Sequence, residues 1–199
     1  MIEHVHAIPI EVIPSHIHLS TADYAVLFGD QTSTVAHRLS QQGQHASDMS
    51  VEVRGKLLKR AVVVRYVGPE RKETQVELTP TEAKYLGIEA PVARSGELAE
   101  AGECTLIGLN GKLQRKAAVI IPRPHLHCSP DEASVLRLSH GQEVSVELHL
   151  DVPRMLEGVV VRVHPSYTLR LHIHADIARE HWIAGPTYAS LEKTSSVFV

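Results

Sequence analysis

The feature that most constrains this chain is an internal repeat. Residues 12–29 read VIPSHIHLSTADYAVLFG and residues 119–136 read VIIPRPHLHCSPDEASVL. Aligned on their histidines, His16 falls on His125, His18 on His127, Ser20 on Ser129 and Leu27 on Leu136. Self-similarity of this kind means that one supersecondary unit has been used twice. In both copies an apolar segment runs through proline into His-x-His and then into a helix start. Ser129 reads as an N-cap, with Pro130 at the first helical position and Glu132 completing a capping box. Ser20 and Asp23 form a weaker version of that box.

The rest of the chain reads mainly as strands. Leu57 to Val67 is rich in β-branched residues, and Val51 to Val53, Val144 to Leu150 and Val159 to Val163 alternate. Asn110-Gly111 inside Thr105 to Leu113 is a hairpin signal. Thr79-Pro80-Thr81-Glu82 opens a short helix with a full capping box, and Gly87 closes it. Many short strands, few helices and a twofold repeat predict a mainly β protein of two small β-barrels with short capping helices. The expected division is 15–122 for the first barrel and 1–14 plus 123–190 for the second. The tail after Gly185 is polar and aperiodic, and is expected to be loose. GKLLKRAVVV at 55–64 resembles GKLQRKAAVI at 111–120. Each reads as a turn glycine feeding a strand with solvated basic residues, the other reading being help in holding a polyphosphate.

Composition excludes several partners. Aromatics are only 4% and the net charge is −3, without a basic run, so nucleic acid is not expected. No apolar stretch approaches the roughly 18–20 residues of a membrane span, and Met1 to Ala7 lacks the pattern of a secretory signal. Two cysteines, Cys104 and Cys128, make no disulfide framework, and a reducing, cytoplasmic address is expected. A homo-oligomer is compatible with the sequence.

There are 14 histidines, and their arrangement carries chemistry. His-x-His on a strand puts both imidazoles on one face, about 7 Å apart along the backbone, where they can converge on one zinc ion. His16 with His18, His125 with His127, and His172 with His174 are three such pairs. A single pair is ordinarily structural, whereas three pairs, two of them inside a repeat, point to metal. His4 and His6 sit at the terminus and are not expected to take part. In the run YVGPERKETQVELTPTEA at 66–83, Gln75 and Glu77 share one strand face. Beside a metal, Glu77 offers a hard oxygen ligand and Arg71 a planar fork matched to phosphate.

The runs SHIHLS, GPERKETQVEL, HLHCSPDEA and LHIHADIA, with LSQQGQHA at 39–46 and RSGEL at 94–98, resemble the PduL-type phosphate acyltransferases from about residue 8 to about residue 180. That resemblance implies two β-barrels with an active site between them and two zinc ions, replaceable by another divalent metal. By position, His16, His18 and Glu77 would hold one zinc, and His125, His127 and His172 the other. Arg71 falls on the family's catalytic, phosphate-binding arginine. The implied substrates are acyl-CoA and CoA, with inorganic phosphate and acyl phosphate. Two departures are His174, where an acidic residue is expected, and Cys128, where an apolar one is. An N-terminal extension targeting the enzyme to a bacterial microcompartment is not evident, although packaging in one remains compatible.

Phosphate is already ionised at neutral pH, so direct attack on the thioester needs no nucleophilic Ser or Cys. Cys128 reads as a small buried hydrophobe. A dimetal zinc hydrolase of esters or phosphoesters would use the same ligands but leave Arg71 without an acceptor phosphate. A zinc-stabilised binding module would have closed, four-ligand sites, whereas three ligands per metal leave open positions.

Overall fold

The computed structural model describes residues 7–57 and 59–192, so His4 and His6 lie outside the described residues. The first copy of the repeat runs β1 (Ile8–Ile13), β2 (His16–His18), α1 (Thr21–Phe28), β3 (Val35–Arg38), β4 (His45–Arg54), β5 (Val62–Gly68), β6 (Gln75–Glu77), α2 (Pro80–Leu86), β7 (Val92–Ala93) and β8 (Gly102–Ile107). The second runs β9 (Lys112–Pro122), β10 (His125–Cys128), α3 (Pro130–Leu136), β11 (Glu143–Leu148), β12 (Arg154–Val163), β13 (Arg170–His174), α4 (Ala175–Glu180) and β14 (Tyr188–Leu191).

These strands close two six-stranded barrels. In the first, the neighbours run β4-β5-β2-β6-β9-β8 and back to β4. In the second they run β11-β12-β10-β13-β1-β14 and back to β11. The sequence of pair types around each ring is the same: antiparallel, parallel, antiparallel, parallel, antiparallel, antiparallel. Thus β2 corresponds to β10, β6 to β13, and the leading strands β9 and β1 to each other. Each repeat lends its leading strand to the barrel of the other. β1 feeds β2 by sequence yet pairs with β13 and β14, while β9 feeds β10 yet pairs with β6 and β8. Among the described residues the compact units accordingly comprise Pro14–Pro122, and residues 7–13 with 123–192. Closure removes the unpaired edges that would otherwise invite aggregation.

Period-two alternation sets what each barrel buries. Ile17, Val51, Val53, Val64, Val76 and Val119 point into the first core, and Leu126, Cys128, Val146, Val159, Leu171 and Ile173 into the second. Each fully buried aliphatic side chain of this size contributes about 1.5–3 kcal/mol. The helices cap rather than build the cores, and the starts of α1, α2 and α3 are the ones expected. Thr79 and Ser129 each complete a two-way capping box with Glu82 and Glu132. Ser20 supplies only the side-chain half, accepting from Asp23 N.

Three expectations are corrected. The described part of the segment after Gly185 is not loose: Tyr188–Leu191 forms β14, and buried Ala189 and Ser190 fasten it between β1 and β11. A four-residue strand is too short to announce itself by periodicity. The strand expected from Leu57 begins only at Val62, and the two GK segments are not structural equivalents, since β5 corresponds to β12 and β9 to β1. Arg60 donates to Tyr85 O and Arg115 pairs with Asp23, so their basic residues serve the fold. The expected hairpin at Asn110-Gly111 is present, and since neither residue has positive φ its turn is not the mirror-image type. The reason for glycine is close approach: a Cβ on Gly111 would lie 2.5 Å from Val26 O, and one on Gly108 2.4 Å from Leu27 O. Asn110 also closes α1, donating from Nδ2 to Phe28 O at 3.0 Å. Among the described residues, no helix is long and apolar enough to cross a membrane.

Candidate functional site

Because Ile17 and Val76 point into the first core, their strand neighbours must face the other way. His16, His18, Gln75 and Glu77 therefore share the outer face of the first barrel, with His16 opposite Glu77 and His18 opposite Gln75. His16 Nδ1 contacts Pro14 O at 3.0 Å, and His18 Nδ1 contacts Val67 O at 2.9 Å. A carbonyl oxygen only accepts, so both Nδ1 atoms carry the proton and both Nε2 atoms present lone pairs. Those Nε2 atoms lie 3.1 Å apart, with Glu77 Oε2 3.7 Å from that of His16. Three electron-pair donors turned on one another repel unless a cation lies among them. Two nitrogens on one tetrahedral zinc would be roughly 3.3 Å apart, close to the spacing here. Burial, then the nearby His16 and Arg71, hold His18 well below its ordinary value and keep it neutral, as a metal ligand must be.

The second barrel repeats the arrangement. Leu126 and Cys128 enter the core, which turns His125 and His127 outward, and His172 stands opposite His125 across β10 and β13. His125 Nδ1 is 2.9 Å from Arg123 O, the same contact, two residues back, that His16 makes. One ligand atom from each of His125, His127 and His172 lies within 4.8 Å of the others, and the same holds for His16, His18 and Glu77. Both groups could hold a metal ion. Burial, then His172 and His125, pull the His127 imidazole far down. Tyr167 stacks on its ring with centroids 3.9 Å apart, which fixes the plane of the imidazole.

His174 does not join the second group as the partner of His172. It ends β13, and its Nδ1 accepts from Ile177 N at 3.4 Å as the N-cap of α4. Thr79 holds the corresponding position before α2, two residues after Glu77. An acidic residue would cap equally well there, which accounts for the departure from the expected pattern.

Arg71 lies in the first barrel. Its backbone bridges to Ser20 and its N–H donates to Leu19 O at 2.8 Å, immediately after the histidine strand. Thr74 pins the same loop: its Oγ1 accepts from Ser20 N at 3.0 Å and donates to Asp23 Oδ2 at 2.5 Å. Asp23 is buried and held by Arg115 as well. Burial alone would raise the Asp23 pKa, but the hydrogen bonds from Arg115 and Thr74 outweigh it and hold the carboxyl below its usual range.

The Arg71 side chain is tied to Glu77 by a chain that sequence reasoning did not resolve. Arg71 Nη1 donates to Ser95 Oγ at 3.0 Å, and Gln75 Nε2 donates to the same oxygen at 2.8 Å. Gln75 Nε2 also donates to Glu77 Oε1 at 2.6 Å, and Gln75 Oε1 accepts from Gly96 N at 2.7 Å. The backbone N–H of Gly96 fixes which end of the amide is oxygen. Ser95 Oγ then receives two donors that cannot act otherwise, which leaves its own proton to be given away. The visible signals were RSGEL and the shared face of Gln75 and Glu77. What could not be read was that Ser95, 24 residues from Arg71 along the chain, reaches it.

Cys128 and Cys104 are both buried. Cys128 faces the core, away from the histidines on its own strand, and burial raises its thiol. Burial pushes Cys104 up to about 12.

A family model described as phosphate propanoyltransferase matches residues 9–182. The chain is similar to the phosphate propanoyltransferase of Salmonella arizonae, 38% identical over 188 residues, which cover 92% of this chain and 88% of that protein. It is 39% identical over 172 residues to the one from Klebsiella pneumoniae subsp. pneumoniae, covering 86% of this chain and 81% of the relative. The one from Shewanella putrefaciens is 35% identical over 182 residues, covering 89% and 84%.

Proposed function

Because the chain belongs to the phosphate propanoyltransferase family and is an acyltransferase, we propose that it interconverts a short-chain acyl-CoA and phosphate with acyl phosphate and CoA, by direct attack of phosphate on the thioester. His16, His18 and Glu77 would hold one zinc ion, and His125, His127 and His172 a second. Bound zinc would polarise the thioester carbonyl or stabilise the departing thiolate.

The observation that carries the reading is the link from Arg71 through Ser95 and Gln75 to Glu77. It fixes a guanidinium beside the first metal group, where His18 feels its charge. Arg71 then binds two oxygens of phosphate through parallel hydrogen bonds. The free proton of Ser95 adds a donor for a further phosphate oxygen, and neither contact takes a proton from the nucleophile. Phosphate needs no deprotonation at neutral pH. One of its oxygens forms the bond to the carbonyl carbon while the carbon–sulfur bond breaks and CoA leaves as thiolate. Holding the reactants in such a geometry supplies up to about 7–11 kcal/mol of barrier reduction.

A thiol-release assay on zinc-loaded protein, with propanoyl-CoA and acetyl-CoA, tests this. CoA should appear only when phosphate is added, with acyl phosphate in equal amount. CoA release without phosphate, slowed by adding it, would instead identify a hydrolase and refute the proposal.

A further inference from the structure

The second metal group has a neighbour that the first lacks. β1 runs parallel to β13 with Glu11 opposite His172, and β13 sets His172 opposite His125. Ile8 and Ile10 pack toward the second core, so Glu11 lies on the outer face with both histidines. Three adjacent strands thus carry the row His125, His172, Glu11. In the first barrel the corresponding row is His16, Glu77, Ile120. Ile120 is fully buried and packs on Ala93 and Ala101. A carboxylate therefore stands at only one of two otherwise equivalent positions.

Glu11 Oε2 is 3.4 Å from His172 Nε2 and 3.5 Å from Arg170 Nε. Both nitrogens are buried and neither closes a hydrogen bond among the described residues, the approach to Glu11 included. A buried ring N–H left unmade is costly, and the Glu11 carboxylate is the acceptor beside it.

We propose that Glu11 is the positioning residue of the second metal group. With a metal bound, Glu11 would take the Nε2–H of His172 in a hydrogen bond, and so commit Nδ1 of that ring to the metal with His125 and His127. The inference rests on the metal reading above. It reverses the arrangement at His16, His18 and His125, where a backbone carbonyl holds Nδ1 and leaves Nε2 for the ion. A carboxylate on the far nitrogen fixes the ring and makes it a more basic ligand, and losing such a partner ordinarily weakens metal binding about 10–100-fold.

The test uses the full chain loaded with zinc alone, with two readouts that do not depend on activity. Zinc release to a chromophoric chelator should show that Glu11→Ala weakens one of two equivalents by about 10–100-fold and leaves the other as in wild type. Glu11→Gln, which keeps an accepting oxygen and the side-chain shape, should fall at the low end of that range. A long-range proton–nitrogen spectrum of the zinc-loaded wild type should show one imidazole bound through Nδ1 with its Nε2 protonated. Unchanged release in both variants, or zinc bound through Nε2 at every imidazole, would overturn the role of Glu11. A wild-type chain that takes up no zinc would instead overturn the metal reading itself.

Discussion

Glu77 and His172 occupy the same position in their respective barrels, each across an antiparallel pair from the first histidine of a His-x-His strand. One scaffold thus presents a carboxylate in one copy and an imidazole in the other. The first group carries a formal negative charge that the second lacks, so the two sites should not bind metal equally.

Since each group is built wholly within one barrel, each should fail separately. His16→Ala and His125→Ala should each lower the zinc content from about two equivalents to about one while the chain stays folded, because three ligands cannot become two and keep the ion at ordinary free zinc. Both should lose most activity. Elemental analysis checks this, and loss of both ions in either variant would count against independent sites.

Arg71→Lys keeps the charge but not the planar fork. It should raise KM for phosphate and lower kcat, with zinc content intact. Arg71→Ala removes a charge-assisted contact of about 1.5–3 kcal/mol, or roughly 10–100-fold in kcat/KM for phosphate. Ser95→Ala should move the same constant in the same direction by less, about 0.5–1.5 kcal/mol, since one neutral hydrogen bond is lost. Initial rates against phosphate concentration decide this. If Ser95→Ala raised KM for acyl-CoA and not for phosphate, the serine proton would be serving the wrong substrate.

How far these sites could be read from sequence depends on the range of the signal. The two histidine pairs were legible because alternation and a repeat are local patterns, and the capping boxes at Thr79 and Ser129 because they span four residues. The leading strands were legible as strands, and the expected division at residues 14 and 122 already separated each from the strand it feeds, but their register was not legible. Nothing in Ile8–Ile13 says that Glu11 falls opposite His172. Ser95 and Glu11 were missed for the same reason, since each matters only through a partner that register brings close. His174 misled because period two holds only until a strand ends, and there its side chain turns to cap α4.

Asp23 should make stability depend on pH in a stated direction. Its carboxyl is held below the usual range in the folded chain, so unfolding takes up protons in acid. Its contribution is present above the unfolded value of about 3.9 and is lost as pH falls through the lower folded value. Asp23→Asn should therefore cost about 1–3 kcal/mol at pH 7, and the difference from wild type should shrink below about pH 4. Denaturant titrations at the two pH values measure it, and a difference that grew in acid would mean the pairing with Arg115 is not what holds Asp23.

Cys128 separates direct attack from an acyl-enzyme route. It neighbours a histidine of the second group, but its side chain enters the barrel core with Leu126 while His127 faces out. Burial also raises its thiol, and a buried thiol so held supplies little thiolate, which is the nucleophilic form. Cys128→Ala should lose stability on the order of 1 kcal/mol from the missing buried sulfur. Its kcat should stay within about threefold of wild type, less than ~0.7 kcal/mol in the barrier. An acyl-enzyme would also let labelled CoA exchange into acyl-CoA with no phosphate present, because the first half-reaction would run alone. With direct attack that exchange requires phosphate, so exchange in its absence, abolished by Cys128→Ala, would replace the mechanism proposed here.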